Sequence, residues 1–336
     1  MRQWIINQGA TSLDGLHLRD VPEPVAGPGE VLVRVRACSL NYRDQAIPLG
    51  RYMGGPVATD TVPLSDGAGE IVALGAGVTG FAVGDRVAGL FFQSWRDGPP
   101  SAGMGAALGA AGAPGMLQDL VALPAGGVIA IADSLSFEEA ACLPCAGVTA
   151  WNALMAGPRP LRAGDSVLVL GTGGVSLIAL QIARAVGATV VATSSSDAKL
   201  DRARALGADH LINYRSVPEW GAEAARLTGG IDHVVEVGGA GTLAQSIAAV
   251  GYAGEIALIG VLTREGNTSP HGLMFKGASI RGIFVGSRAM AQGLNDLVDA
   301  HRIKPVIDRR FDIADALSAY RYQSSPDLFG KVVITL

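Results

Sequence analysis

Val167-Leu168-Val169-Leu170-Gly171-Thr172-Gly173-Gly174-Val175-Ser176 joins three signals. The apolar run reads as a strand buried on both faces. It passes straight into a glycine turn, and Leu177, Leu180, Ile182 and Ala183 then follow with helical spacing. Gly171 permits the tight turn, and Gly173 lets the backbone approach a pyrophosphate. The N-terminus of the helix beyond supplies N–H donors and a favourable dipole for that anion. The third glycine of the dinucleotide fingerprint is absent, because Ser176 stands in its place. Outward from this point, strands are predicted at 166–170, 189–193, 209–213, 231–237, 255–259 and 279–284. Helices are predicted between them at 174–186, 197–206, 219–228 and 241–250. Such alternation implies a doubly wound α/β domain, a six-stranded parallel sheet covered by helices.

The next strand bears on which dinucleotide is bound. Val190-Val191-Ala192-Thr193 ends in Ser194-Ser195-Ser196, with no carboxylate before Asp197. An acidic residue there would take the ribose hydroxyls of NAD and repel a 2′-phosphate. Hydroxyls followed by Lys199 and Arg202 on one helical face suit that phosphate, so NADPH is the expected cofactor. The alternative is that Lys199 and Arg202 simply solvate a surface helix. Gly171, Gly173, Gly174 and Val175 are expected at the pyrophosphate. Ser194, Ser195, Lys199 and Tyr214 are expected at the adenosine phosphate end.

The first third reads as β structure. Val31-Leu32-Val33-Arg34-Val35-Arg36-Ala37 alternates as a half-buried strand does, and Gly75, Gly77, Gly80 and Gly84 punctuate shorter strands. Residues 97–116, rich in Gly, Ala and Pro, read as a mobile loop. Ser136 and Glu139 have the spacing of a capping box at a helix start. The C-terminal region offers a helix near 288–301, an amphipathic helix from Ile313, and a strand at Lys331-Val332-Val333-Ile334-Thr335 that is expected to return to the N-terminal β domain.

Composition narrows the classes. The chain has 336 residues, 17% of them charged, with a formal net charge of −4, so nothing attracts nucleic acid or an anionic membrane. Three cysteines make no disulfide framework, and the N-terminus lacks a signal-peptide pattern. A cytoplasmic, soluble protein is expected. Ser166–Ala183 is free of charge for 18 residues, but its glycines fit a strand, turn and helix better than a membrane span. The five histidines show no ligand spacing.

Together the segments Gly29-Glu30-Val31-Leu32-Val33, Gly84-Asp85-Arg86-Val87, Ala146-Gly147-Val148-Thr149-Ala150-Trp151, the glycine turn and Phe329-Gly330-Lys331-Val332-Val333-Ile334 carry a family pattern. The chain resembles the medium-chain dehydrogenase/reductase superfamily over nearly its whole length. The resemblance implies a GroES-like β domain from both chain ends (1–124 and 287–336) and a central Rossmann domain (125–286). Zinc members hold a catalytic metal with Cys, His and Cys. The corresponding positions here are Asn41, Ser65 and Cys145, and Cys38 lies three residues early. One thiolate beside an amide and a hydroxyl makes a poor zinc site, and the four cysteines of the family's structural zinc lobe are absent. No metal is therefore expected. Cys142-Leu143-Pro144-Cys145 is a literal CxxC, read more simply as two small core residues.

Zinc-free members with Asn-Tyr-Arg-Asp and Leu-Ser-Asp-Gly-Ala-Gly resemble the quinone oxidoreductase branch. That likeness implies hydride transfer from NADPH to a quinone or an α,β-unsaturated carbonyl. Asn41, Tyr42, Tyr52 and Ser65 are the expected polar groups for the substrate, and Asp44 has a structural role beside them. Thr149, Val237, Gly238, Gly260, Val261, Phe284 and Val285 fall where family members line the nicotinamide; Thr149 and Val237 suit plain packing equally. A homodimer is expected by resemblance. Two other readings stay open: a metal-free alcohol or aldehyde oxidoreductase, and a crystallin-type NADPH-binding protein without turnover.

Overall fold

A computed structural model describes all residues except Ala111, Val261 and Arg264. In chain order the strands are β1 (Arg2–Ile6), β2 (Leu16–Asp20), β3 (Glu30–Ser39), β4 (Asp66–Leu74), β5 (Arg86–Gly89), β6 (Leu120–Pro124) and β7 (Val128–Ala130). They continue with β8 (Ser166–Leu170), β9 (Thr189–Ser194), β10 (His210–Asn213), β11 (Ile231–Glu236), β12 (Val250–Leu258), β13 (Ser279–Gly282), β14 (Ile307–Asp312) and β15 (Lys331–Thr335). The chain forms two compact units, Met1–Val148 with Gly286–Leu336, and Thr149–Val285.

The first unit is the GroES-like domain. Its sheet runs β14-β15-β3-β4-β5-β7, with β6 also paired to β3. β3 is the central strand because its alternation works: Val31, Val33 and Val35 are at most 2% exposed, while Arg34 and Arg36 face solvent. β15 returns to this sheet as expected, antiparallel to β3 through Ile334 and Cys38. Residues 125–148, which the sequence reading assigned to the Rossmann domain, cluster with this unit. The reason is pairing: β7 extends the sheet beside β5 through Val87 and Ala130. The helix Phe137–Ala140 starts with the expected capping box, Ser136 N–H donating to Glu139 Oε2 at 2.8 Å and Glu139 N–H to Ser136 Oγ at 3.2 Å.

The glycine-rich segment 97–116 divides: residues 97–106 are mostly exposed, as expected of a surface excursion, whereas its second half has packed residues, with Leu108 and Met116 at most 1% exposed. A Cβ on Gly109 would lie 2.6 Å from the Leu64 carbonyl carbon, and one on Gly115 would lie 2.2 Å from the Pro63 oxygen. At these two positions glycine serves close backbone packing rather than freedom.

The second unit is the Rossmann domain, an all-parallel sheet in the order β10-β9-β8-β11-β12-β13. β8 is buried at every residue, which explains its unbroken apolar run. The helix Gly174–Val186 ends at Gly187 with φ of +90°, a left-handed cap that glycine accepts without strain. Among the described residues no helix is long and apolar enough to cross a membrane.

Candidate active site

In the Rossmann unit the glycine turn forms as read. Gly171 has φ of +70°, and Gly173 caps the 13-residue helix Gly174–Val186. A Cβ on either would meet nothing within 4 Å, so the space above both backbones is open. Ser176, in place of the third glycine, is buried and its Oγ donates to Leu170 O at 2.7 Å, locking the turn to the end of β8. An unblocked glycine backbone ahead of a free helix N-terminus fits a dinucleotide pyrophosphate. Ser194 is buried at the end of β9, where its Oγ accepts the Ser196 N–H at 3.3 Å. Ser195 and Lys199 are half-buried, and Tyr214, 42% exposed, follows β10 with its N–H on Ser194 O at 3.1 Å. The adenosine-end candidates thus gather at the ends of two adjacent strands.

The candidates for the nicotinamide end divide. Thr149 is 3% exposed on the helix Val148–Met155. Val237 packs on the apolar core. The N–H groups of Gly238 and Gly260 are already spent, on Glu236 Oε1 at 2.7 Å and Glu236 O at 2.9 Å. Phe284 is 41% exposed, whereas Val285 is buried with φ of +55°, its carbonyl held by Asn152 Nδ2 at 2.7 Å. Val261 lies outside the described residues. Glu236 is a residue the sequence reading missed. Fully buried, it accepts from Gly238 N, Gly239 N, Thr242 Oγ1 and Ser246 Oγ, and so fixes the loop after β11. A carboxylate closing the otherwise apolar run Val234-Val235-Glu236-Val237 was its signal.

In the GroES-like unit Asn41 caps the short helix Tyr42–Ala46 and is 9% exposed. Its Oδ1 accepts from Lys331 Nζ at 2.6 Å, and the same ammonium donates to Leu40 O at 2.6 Å. Its Nδ2 is turned towards the Asp66 carboxylate but completes no hydrogen bond of normal length among the described residues. Asp44 Oδ2 accepts the Asn41 N–H at 2.8 Å, and its Oδ1 lies 3.9 Å from Arg43 Nη1, the structural role expected of it. Burial holds the Asp44 carboxyl at about 6, against the opposing pull of Arg43. Asp66, wholly buried, takes the Ser65 hydroxyl at 2.8 Å and the Cys145 N–H at 3.1 Å. Burial raises its pKa too, with Lys331 and the neighbouring Asn41 amide working the other way.

Tyr52 is half-buried with its ring 5.1 Å from the Arg43 guanidinium carbon, which lies 4.7 Å from the Phe91 ring. Tyr42 stands apart at 51% exposed. Ser65 is fully buried with its proton on Asp66, so its hydroxyl faces inward and not towards a substrate. Sequence reasoning brought Asn41, Tyr52 and Ser65 to one neighbourhood but missed Lys331 and Asp66, the charges that organise it together with Arg43. A lysine opening the apolar strand Lys331–Thr335 was the available signal.

The groups at the expected metal position do not fit zinc. The Asn41 oxygen is occupied by an ammonium and the Ser65 hydroxyl by a carboxylate, which leaves Cys145 as the single thiol of a donor set that suits zinc poorly. Among the described residues no group of three or more His, Cys, Asp or Glu is placed to hold one. The CxxC thiols are packing groups: Cys142 donates to Glu138 O at 3.3 Å and is pushed up to about 12.

Residues 27–133 match the family described as alcohol dehydrogenase GroES-like domain, and residues 174–300 match that described as zinc-binding dehydrogenase. The chain belongs to the medium-chain dehydrogenase/reductase superfamily. It is 45% identical to a zinc-type alcohol dehydrogenase-like protein of Schizosaccharomyces pombe, over 94% of this chain and 93% of that one. It is 32% identical to 2-methylene-furan-3-one reductase of Solanum lycopersicum, over 96% of this chain and 76% of the other. A solved structure titled NAD-dependent alcohol dehydrogenase matches with a TM-score of 0.89 at 33% identity, covering all of both chains. The protein is thus an oxidoreductase of this superfamily with a nicotinamide-cofactor domain.

Proposed function

We propose that this oxidoreductase uses NADPH to reduce a quinone or an α,β-unsaturated carbonyl without a catalytic metal. The observation that carries the reading is the buried Asn41 Nδ2, which completes no hydrogen bond of normal length among the described residues, at the position where zinc members place a ligand. When a hydride adds to a conjugated acceptor, negative charge develops on its carbonyl oxygen. A preorganised N–H donor in a low-dielectric site stabilises that charge. Asn41 provides the donor, and the hydrogen bond from Lys331 to its Oδ1 makes the amide N–H more acidic. The proton that completes reduction comes from solvent.

The dinucleotide, held by Gly171, Gly173, Gly174 and Val175, supplies the hydride. Ser194, Ser195 and Lys199 select its 2′-phosphate. The tomato relative's name describes reduction of a conjugated methylene-furanone, in keeping with this substrate class. Against it stands the solved relative titled an NAD-dependent alcohol dehydrogenase. A panel of quinones and enones followed by NADPH oxidation, with metal content measured on the same sample, separates the two. NADPH-dependent enone or quinone turnover without stoichiometric zinc is expected. Oxidation of simple alcohols as the only activity would overturn the reading, and tight NADPH binding with no acceptor reduced would favour the crystallin-type role. Ser195→Asp is expected to move the NADPH-to-NADH preference by at least tenfold towards NADH.

We also propose a cytoplasmic homodimer formed through β13, the edge of the Rossmann sheet, where Ile280 is 36% exposed and Phe275, on the preceding helix, 75%. Sedimentation of the purified chain tests the assembly, and Phe275→Asp is expected to shift it to monomer.

A further inference from the structure

Lys331 sits at the start of β15, 3% exposed, with Nζ donating to Leu40 O and Asn41 Oδ1. An ammonium carries only donors. It can meet the oxygen end of the Asn41 amide but not the nitrogen end. Turning that amide over would set its NH₂ group against the NH₃⁺ group of Lys331 in a buried place. The sense of the amide is therefore dictated at its oxygen end, and the nitrogen is left on the Asp66 side with no hydrogen bond of normal length completed among the described residues. The cost of burying the ammonium is partly offset by the buried carboxylates Asp44 and Asp66, whose pKa values its charge lowers against burial.

We propose that Lys331 is a positioning residue for the acceptor oxygen. By holding Oδ1, it keeps the Asn41 N–H as the end offered to the substrate and keeps the amide oxygen, which repels a carbonyl, turned away. This rests on the reading of Asn41 given above. A glutamine at 331 can donate or accept and no longer dictates the amide's sense, whereas an arginine remains a pure donor.

The test is a double-mutant cycle on steady-state reduction, joined to NMR of the Asn41 side chain in asparagine-labelled protein. Lys331→Gln is expected to lower kcat at least tenfold with NADPH affinity unchanged. In an Asn41→Ala background the same change is expected to add no further loss, since the residue acts through Asn41. Losses that multiply would overturn the proposal, because a merely structural lysine acts independently of Asn41. The Asn41 NH₂ resonances, assigned by their absence from Asn41→Ala, are expected to shift or double in Lys331→Gln and to stay in place in Lys331→Arg; unmoved resonances in Lys331→Gln would also overturn it. Should Lys331→Gln fail to fold, Lys331→Arg decides: kcat within threefold of the parent is expected, and a tenfold fall with unmoved Asn41 resonances overturns the proposal. If the parent reduces no quinone or enone, the functional reading falls, while the resonances still decide what Lys331 does.

Discussion

Gly173 allows a ligand role to be separated from a structural one. Its φ is −81°, and a Cβ would meet nothing within 4 Å, so a side chain that also suits a helix N-cap costs the fold little. Gly173→Asp is expected to leave thermal stability almost unchanged and, by setting a carboxylate at the phosphate, to weaken NADPH binding about tenfold or more, about 1.4 kcal/mol, read by fluorescence titration. Equal affinity would show that no phosphate approaches there. Asp44 gives a pH signature. An acid held at about 6, raised from 3.8, keeps its proton more tightly folded than unfolded. Its contribution to stability is present in full below about pH 4 and is lost as pH climbs through 6, a loss of about 3 kcal/mol. Asp44→Asn carries no such proton, so in urea unfolding the variant should gain on the parent between pH 4 and 6 and hold that gain above. A constant gap across that range would refute the assignment. The glycine turn was legible because its chemistry is local. Lys331 was not, because its partners Leu40 and Asn41 are about 290 residues away and only the fold brings them together.

At the scale of elements, period and punctuation carried the Rossmann unit. The helix Gly174–Val186 and the capping box at Ser136 stand where their residues put them. The second half of the segment 97–116 went astray because glycine has two uses, conformational freedom and close approach, and sequence does not say which applies. At Gly109 and Gly115 it is close approach. Gly115→Ala would press a methyl group against the Pro63 carbonyl oxygen and is expected to destabilise the GroES-like unit by about 2–3 kcal/mol in chemical denaturation. A change within 0.5 kcal/mol would mean that the segment yields freely. The boundary near residue 125 was hidden for a similar reason. β7 is three residues long, too short for periodicity to speak, and joins the GroES-like sheet by pairing alone.

For the whole molecule, cofactor affinity and stability are linked. NADPH at a hundredfold excess over its Kd is expected to stabilise the folded chain by about 2.7 kcal/mol, seen as a rise in Tm that grows with the logarithm of concentration. A Tm that ignores NADPH would argue against a dinucleotide site. The division of labour between the units was readable because each carries its own sequence style, β with glycine punctuation in one and alternating strand and helix in the other. One connection of the fold reaches beyond equilibrium. β15 closes the edge of β3, although Lys331 and Leu40 are 291 residues apart. On the ribosome, the Rossmann unit emerges whole and is free to fold while the first sheet still has an open edge. That edge, from Ala37 to Ser39, must wait for β15 to leave the exit tunnel, and during that wait it stays open to pairing with another copy.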